Sequence, residues 1–337
     1  MKKVLVTGIA GFIGYHTAKK LINSGVGVVG IDNLNDYYDP NLKIARLKQL
    51  GIDYQSGKSD KWYESSRVNF YKGDIALKDD LKEVYDKYAF DSVIHLAAQA
   101  GVRYSIENPD VYIESNVIGF FNILELCRSK GIRTLTYASS SSVYGIDSKQ
   151  PFSENEKCDK PISLYAATKR SNELMAHTYA HLYKLNVLGL RFFTVYGPWG
   201  RPDMAPILFA RAAYEGSTIN VFNKGNQSRD FTYVDDIVQG VLLAHQQNKA
   251  QTNMSGNADI MNIGNGNPVT LMDFIGAIEK HTGKELDKKY VEAQPGDVSV
   301  TYADTNKLTQ STGYTPLVDV DNGVKYFIDW YQEYMLQ

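Results

Sequence analysis

The stretch KVLVTGIAGFIG, Lys3 to Gly14, carries an apolar, β-branched segment straight into three glycines spaced three residues apart. The segment predicts a buried strand over 3–7, and the pattern after it predicts a helix near 12–24. A glycine at the turn between them can take φ > 0, and the next lets an anionic ligand come close to the backbone. Gly8, Gly11, Phe12, Ile13 and Gly14 are thus placed where a strand ends and a helix begins. That is where unpaired helix N–H groups receive a diphosphate.

Outward from this turn the same rhythm repeats. Strand-like runs are GVVGI (27–31), VNFYK (68–72), SVIHLA (92–97), TLTYAS (134–139) and VLGLRFF (187–193), and helical patterns lie near 78–88, 109–130 and 164–185. Strands alternating with helices pair in parallel, because a parallel connection needs a crossover. Near-continuous apolar strands belong to a sheet covered on both faces. The expected class is therefore α/β, a doubly wound parallel sheet of the Rossmann type with a smaller α/β substrate-binding lobe. Segment 33–67 interrupts the rhythm and reads as a lid-like insertion with one helix near 40–50. After 194 the pattern turns irregular, with a helix near 205–215, short strands and two later helices. The expected division is 1–193 with about 232–263 for the first lobe, and about 194–231 with 264–337 for the second.

Composition narrows the function. A net charge of −2 with both signs interspersed leaves no basic stripe for nucleic acid. Lys2 and Lys3 ahead of an apolar run look faintly like a secretion signal, but the glycines break that run and no small-residue cleavage site follows. With no 18-residue apolar run, nothing spans a membrane. The chain reads as cytoplasmic. Cys127 and Cys158 form neither a disulfide framework nor a metal spacing, and His177 and His181, at i and i+4, lack a third ligand. No metal site is expected.

The second strand ends at Asp32, followed by Asn33. An acidic residue there bonds ribose hydroxyls and repels a 2′-phosphate. No Lys or Arg follows until Lys43, so NAD is the expected cofactor rather than NADP. Further on, Tyr165 and Lys169 share one helix face at i and i+4. A free phenol has a pKa of about 10. A neighbouring ammonium and an oxidised nicotinamide are expected to lower it toward working pH. Ser140 stands 25 residues before Tyr165, within TLTYASSSSVYG at 134–145. Open α/β sheets bind ligands beyond their strand ends, so this serine run presents hydroxyls to a cleft and is not a linker.

These features resemble the extended short-chain dehydrogenase/reductase family, and within it the nucleotide-sugar epimerases, closest to the branch that acts on UDP-glucuronate. The stretches that carry the likeness are DNLNDYYDPNLKIARL (32–47), AAQAGVRYSIENP (97–109), RFFTVYGPWGRPDMA (191–205), SRDFTYVDD (228–236) and QPGDVSVTYADT (294–305). The resemblance implies a homodimer that inverts carbon 4 of a UDP-hexuronic acid through a transient 4-keto sugar. It makes Tyr165 the acid/base and gives Ser140 a bond to the reacting hydroxyl. It places Asp74 and Ile75 beside adenine, and Leu96, Ala97, Ala98 and Gln99 along the cofactor. A 4-keto uronic acid loses carbon dioxide readily unless its carboxylate is held still. Ser141, Ser142 and Thr194 resemble the hydroxyl shell that does this, and Arg201 the cation that grips both oxygens. Phe222, Arg229 and Asp297 match positions holding uracil, diphosphate and ribose. Related decarboxylases carry Glu at the place of Ser142, and neutral-sugar epimerases Asn at the place of Thr194. A UDP-glucuronate decarboxylase, a UDP-glucose or UDP-N-acetylhexosamine epimerase, and a non-catalytic NAD-binding sensor remain alternatives.

Overall fold

The computed structural model describes residues 3–57, 61–251, 256–293 and 298–336. The chain runs β1 (Lys3–Thr7), α1 (Phe12–Asn23), β2 (Gly27–Asp32), α2 (Pro40–Gln49), β3 (Trp62–Glu64), β4 (Val68–Lys72), α3 (Lys78–Lys87) and β5 (Ser92–His95). The short helices α4 (Tyr104–Glu107) and α5 (Asp110–Tyr112) lead through a π-helical turn, Ile113–Ile118, into α6 (Gly119–Lys130). Next come β6 (Thr134–Ser140), α7 (Leu164–Tyr183), β7 (Asn186–Phe192), β8 (Thr194–Tyr196), α8 (Ala205–Glu215), β9 (Ile219–Val221), β10 (Ser228–Arg229) and β11 (Phe231–Tyr233). The remainder is α9 (Val234–Ala250), β12 (Asn257–Ile263), β13 (Val269–Thr270), α10 (Leu271–Thr282), β14 (Lys288–Tyr290), α11 (Asn306–Thr312) and α12 (Val320–Met335). No helix among the described residues is long and apolar enough to cross a membrane.

Eight strands form one sheet in the order β12-β7-β6-β5-β1-β2-β4-β3, parallel throughout except for β3. Alternation along each strand divides its side chains between two cores. Val4 and Val6 of β1 pack with α1, α9 and the second half of the chain, whereas Leu5 packs with Val29, Val93 and Leu135 beneath α3, α6 and α7. The chain leaves β1 toward β2 and β4, then returns to build β5, β6 and β7 on the other side. The strand order therefore reverses between β1 and β5, and a crevice opens there at the carboxyl ends.

Four details depart from the sequence reading. The strand expected over 92–97 stops at His95: the Leu96 N–H is shared between the Thr7 carbonyl at 3.3 Å and the Thr7 hydroxyl at 3.1 Å, and the Ala97 N–H donates to that hydroxyl at 3.1 Å. The insertion adds an unexpected antiparallel edge strand, Trp62–Glu64, which pairs Trp62 with Tyr71. The helix expected over 109–130 is interrupted by the π turn, which places Asn116 in the interior. Its side chain accepts from the Gln99 N–H and donates to the Gln99 carbonyl and the Thr168 hydroxyl. A π turn of this kind often marks a functional site. After α8 the described residues carry four helices rather than the two expected, α9, α10, α11 and α12, of which α11 is short.

Candidate active site

One cleft, with about 1370 Å³ of space between atoms including its open mouth, crosses the carboxyl edge of the sheet. At one end lies the glycine turn. Gly8 has φ +69°, and a Cβ there would stand 2.8 Å from the Ala97 nitrogen; a Cβ on Gly14 would stand 1.9 Å from the Gly8 carbonyl oxygen. Only glycine allows strand, turn and helix to close this tightly. Helix α1 begins at Gly11 with no side-chain cap, and Gly11, Phe12, Ile13 and Gly14 line the cleft. Uncapped N–H groups at a helix start are donors for a diphosphate.

Asp32 stands at the end of β2 and accepts from the Ala10 and Leu34 N–H groups at 3.1 and 2.9 Å. Each carboxylate oxygen retains capacity for a ribose hydroxyl. Asn33 donates to Asp74 at 2.9 Å, and the Asp74 N–H donates to Asp80, which fixes the Gly73–Ile75 corner beside Asp32. Leu96, Ala97, Ala98 and Gln99 form the opposite wall. The Thr7 hydroxyl accepts from two N–H groups, so its single proton goes to His95 Nδ1 at 2.8 Å. Burial and the nearby Lys169 charge hold that imidazole at about 3, so it is neutral. Turn, carboxylate and uncapped helix together fit NAD.

At the other end α7 presents Tyr165, Lys169 and Glu173 on successive turns. Ser163 caps the helix by accepting from the Ala166 N–H at 3.1 Å, which sets where the tyrosine emerges. Burial pushes the Tyr165 phenol above its ordinary range; the Ser140 hydroxyl and the Arg201 charge oppose that rise. In the protein alone the helix neighbour Lys169 does not bring the phenol down; the expectation also counted an oxidised nicotinamide, which is outside this balance. The Lys169 ammonium instead donates to the Ala138 carbonyl at 2.9 Å, and burial brings it down to about 8. Below it, Glu173 pairs with Arg191 through two 2.9 Å bonds and accepts from Ser139 at 2.7 Å. With its charge matched, Glu173 leaves Lys169 without a counter-ion on its own helix.

Gly8, Gly11, Phe12, Ile13, Gly14, Asp32, Asn33, Asp74, Ile75, Leu96, Ala97, Ala98, Gln99, Ser140, Tyr165, Lys169 and Arg201 all line this cleft. Ser141, Ser142 and Thr194 are not among its walls, though Ser140 donates to the Ser142 hydroxyl at 3.1 Å. Phe222 and Arg229 also lie outside the walls. The Arg103 guanidinium sits 5.0 Å from the Phe222 ring centre, and Arg229 donates to the Ser228 and Ser299 carbonyls. Asp297 and Gln294 lie outside the described residues. Arg201 is held by Asp203, Nε to Oδ1 at 3.0 Å and Nη2 to Oδ2 at 2.5 Å, and the Tyr37 hydroxyl donates to the same carboxylate at 3.0 Å. A substrate carboxylate reaching Arg201 would share its fork with Asp203.

Asn35, Tyr37, Tyr38 and Lys43 also line the cleft, yet the sequence reading assigned none of them a part in the site. A signal was present. On α2, Lys43 and Arg46 fall on the same face as Leu42, Leu47 and Leu50, and all five are buried. Cations on the apolar face of a short helix call for a partner.

Fold and cleft define a dinucleotide-binding protein with a tyrosine and a lysine at the far end of the cleft from the glycine turn. The chain belongs to the NAD dependent epimerase/dehydratase family, which matches residues 4–264. It is 49% identical to the Protein CapI of Staphylococcus aureus, with 98% of this chain and 99% of that one covered. It is 43% identical to a probable UDP-glucuronate 4-epimerase of Rhizobium meliloti (strain 1021), covering 98% and 97%. Among solved structures it superposes on a UDP-glucuronic acid 4-epimerase from Bacillus cereus in complex with UDP-glucuronic acid and NAD, with a TM-score of 0.86, 33% identity and coverage of 98% and 99%.

Proposed function

We propose that this protein is an NAD-dependent 4-epimerase of UDP-hexuronic acids, interconverting UDP-glucuronate and UDP-galacturonate. The observation that carries the reading is the convergence of Ser140, Tyr165 and Arg201 on the cleft that begins at the glycine turn and Asp32. Bound NAD supplies the acceptor and donor of hydride. Tyr165 takes the proton of the carbon-4 hydroxyl and returns it, while Ser140 bonds both the phenol and that hydroxyl. Lys169, near its midpoint at working pH, is the adjacent group best able to exchange charge with the phenol. Arg201 has two roles: its charge favours the phenolate, and its guanidinium recognises the uronate.

Ser141, Ser142 and Thr194 are assigned to steadying the carboxylate, and Phe222, Arg229 and Asp297 to the uridine diphosphate. The division into lobes is 1–193 with about 232–263, and about 194–231 with 264–337. We place the protein in the cytoplasm as a homodimer joined through α6 and α7, where Ile118 at the end of the π turn leading into α6, and Leu174 and Leu182 on α7, are exposed. The deciding assay presents purified protein with a panel of UDP-sugars. UDP-galacturonate should form from UDP-glucuronate without added NAD and without carbon dioxide release. Dominant UDP-pentose, or faster turnover of UDP-glucose, would overturn the assignment.

A further inference from the structure

Arg46 takes no part in the chemistry above, yet with Arg191 it is one of the two largest fully buried side chains among the described residues. Among those residues no carboxylate pairs with it. Its fork donates to the carbonyls of Ala10 at 2.9 Å, of Trp199 at 3.2 and 2.7 Å and of Gly200 at 3.1 Å, and to the Tyr38 hydroxyl at 2.6 Å. Removing a cation from water without an anion is costly, so what the fork connects deserves a reason.

The acceptors lie in two separate parts of the site. Ala10 belongs to the nucleotide turn, and its N–H is already fixed by Asp32 at 3.1 Å. Trp199 and Gly200 immediately precede Arg201. Trp199 has φ +60°, a conformation that bulky L-residues avoid, so its loop does not hold this shape by local preference. A second tether reaches the same loop: His16 of α1 bonds the Pro198 carbonyl at 2.9 Å. Three consecutive carbonyls ahead of Arg201 are thus gripped by the cofactor half of the cleft.

We infer that Arg46 is a positioning residue that clasps loop 198–201 to the nucleotide turn, so that the placement of Arg201 depends on the geometry of the cofactor site. This rests on the proposed function only for the identity of the substrate. Lysine at 46 keeps the charge but cannot span Ala10 and Trp199 with one planar fork. Phenylalanine at 16 keeps the ring and loses the tether.

The test compares Arg46→Lys and His16→Phe with the parent for melting temperature, NAD retained on purification, KM and kcat. With retained NAD and kcat near parental, KM for UDP-glucuronate should rise roughly 10-fold in R46K and about 3-fold in H16F, the mark of lost uniform binding. An unchanged KM in both variants overturns the inference. So does a joint fall of melting temperature, NAD and kcat at constant KM, which is the mark of a merely structural residue. Should R46K fail to fold, H16F decides alone, and a parental KM there sinks the clasp. If the parent ignores UDP-glucuronate but turns over another UDP-sugar, the proposed function falls, and the same KM comparison on that sugar still tests the clasp.

Discussion

Under the proposed function Lys169 serves the chemistry, yet its burial is unfavourable for folding, and the two demands can be separated by Lys169→Met. Burial takes the ammonium from 10.5 to about 8, which at 1.4 kcal/mol per unit disfavours the charged native lysine by roughly 3 kcal/mol at neutral pH. Methionine fills nearly the same volume without the charge. It also leaves the Ala138 carbonyl without its 2.9 Å donor, at a cost of about 1–2 kcal/mol. The variant should therefore gain about 1–2 kcal/mol in unfolding free energy at pH 7 while losing turnover. The pH dependence has a definite sign. Between pH 8 and 10.5 the unfolded chain holds a proton that the native lysine has released, so parental stability rises with pH and the variant's advantage shrinks. Denaturant unfolding at pH 7, 8 and 9, on samples matched for bound NAD, measures this directly. A variant less stable than the parent at pH 7, or an advantage that does not change with pH, would refute the reasoning.

Other consequences are simpler to state. Tyr165→Phe should reduce turnover by about 10²–10⁴ while NAD stays bound, read from kcat and from nucleotide released by acid. Gly14→Ala brings a methyl to 1.9 Å of the Gly8 carbonyl; the turn must open, so NAD should be lost on purification and unfolding free energy should fall by about 2 kcal/mol or more. Glu173→Gln leaves Arg191 buried without its anion, and should cost about 3–5 kcal/mol in denaturant unfolding. Burial pushes the Glu173 carboxyl up, but Arg191, Ser139 and Arg170 together outweigh that and hold it below the usual range. The pair's contribution is therefore present above the unfolded carboxyl's pKa and is lost as pH falls through the native value, a loss the Gln variant should not show.

Much of the site was legible because its chemistry follows local spacing. The glycine turn, Asp32 at the next strand end, and Tyr165 with Lys169 four residues later each declare themselves within one element, and all of them reach the cleft. The doubly wound sheet was legible for a related reason: alternating apolar strands and amphipathic helices leave few ways to bury both faces. The Arg103–Phe222 contact and the Arg201–Asp203–Tyr37 cluster were not legible as units. The first joins residues more than a hundred positions apart, and the second draws a tyrosine from an insertion that looked like a lid.

The order of apolar and polar residues thus determined by itself the parallel strands and the longer helices between them, and where the glycine turn and the phenol would stand, but not β3 or the π turn. Only the tertiary structure decided how charge is shared among them. Lys169 is spent on a carbonyl, Glu173 is matched by Arg191, and Arg46 reaches loop 198–201 across about 150 residues of chain. The physical reason is that a pKa or a clasp depends on burial and on partners brought together by packing, neither of which is written in the spacing along the chain.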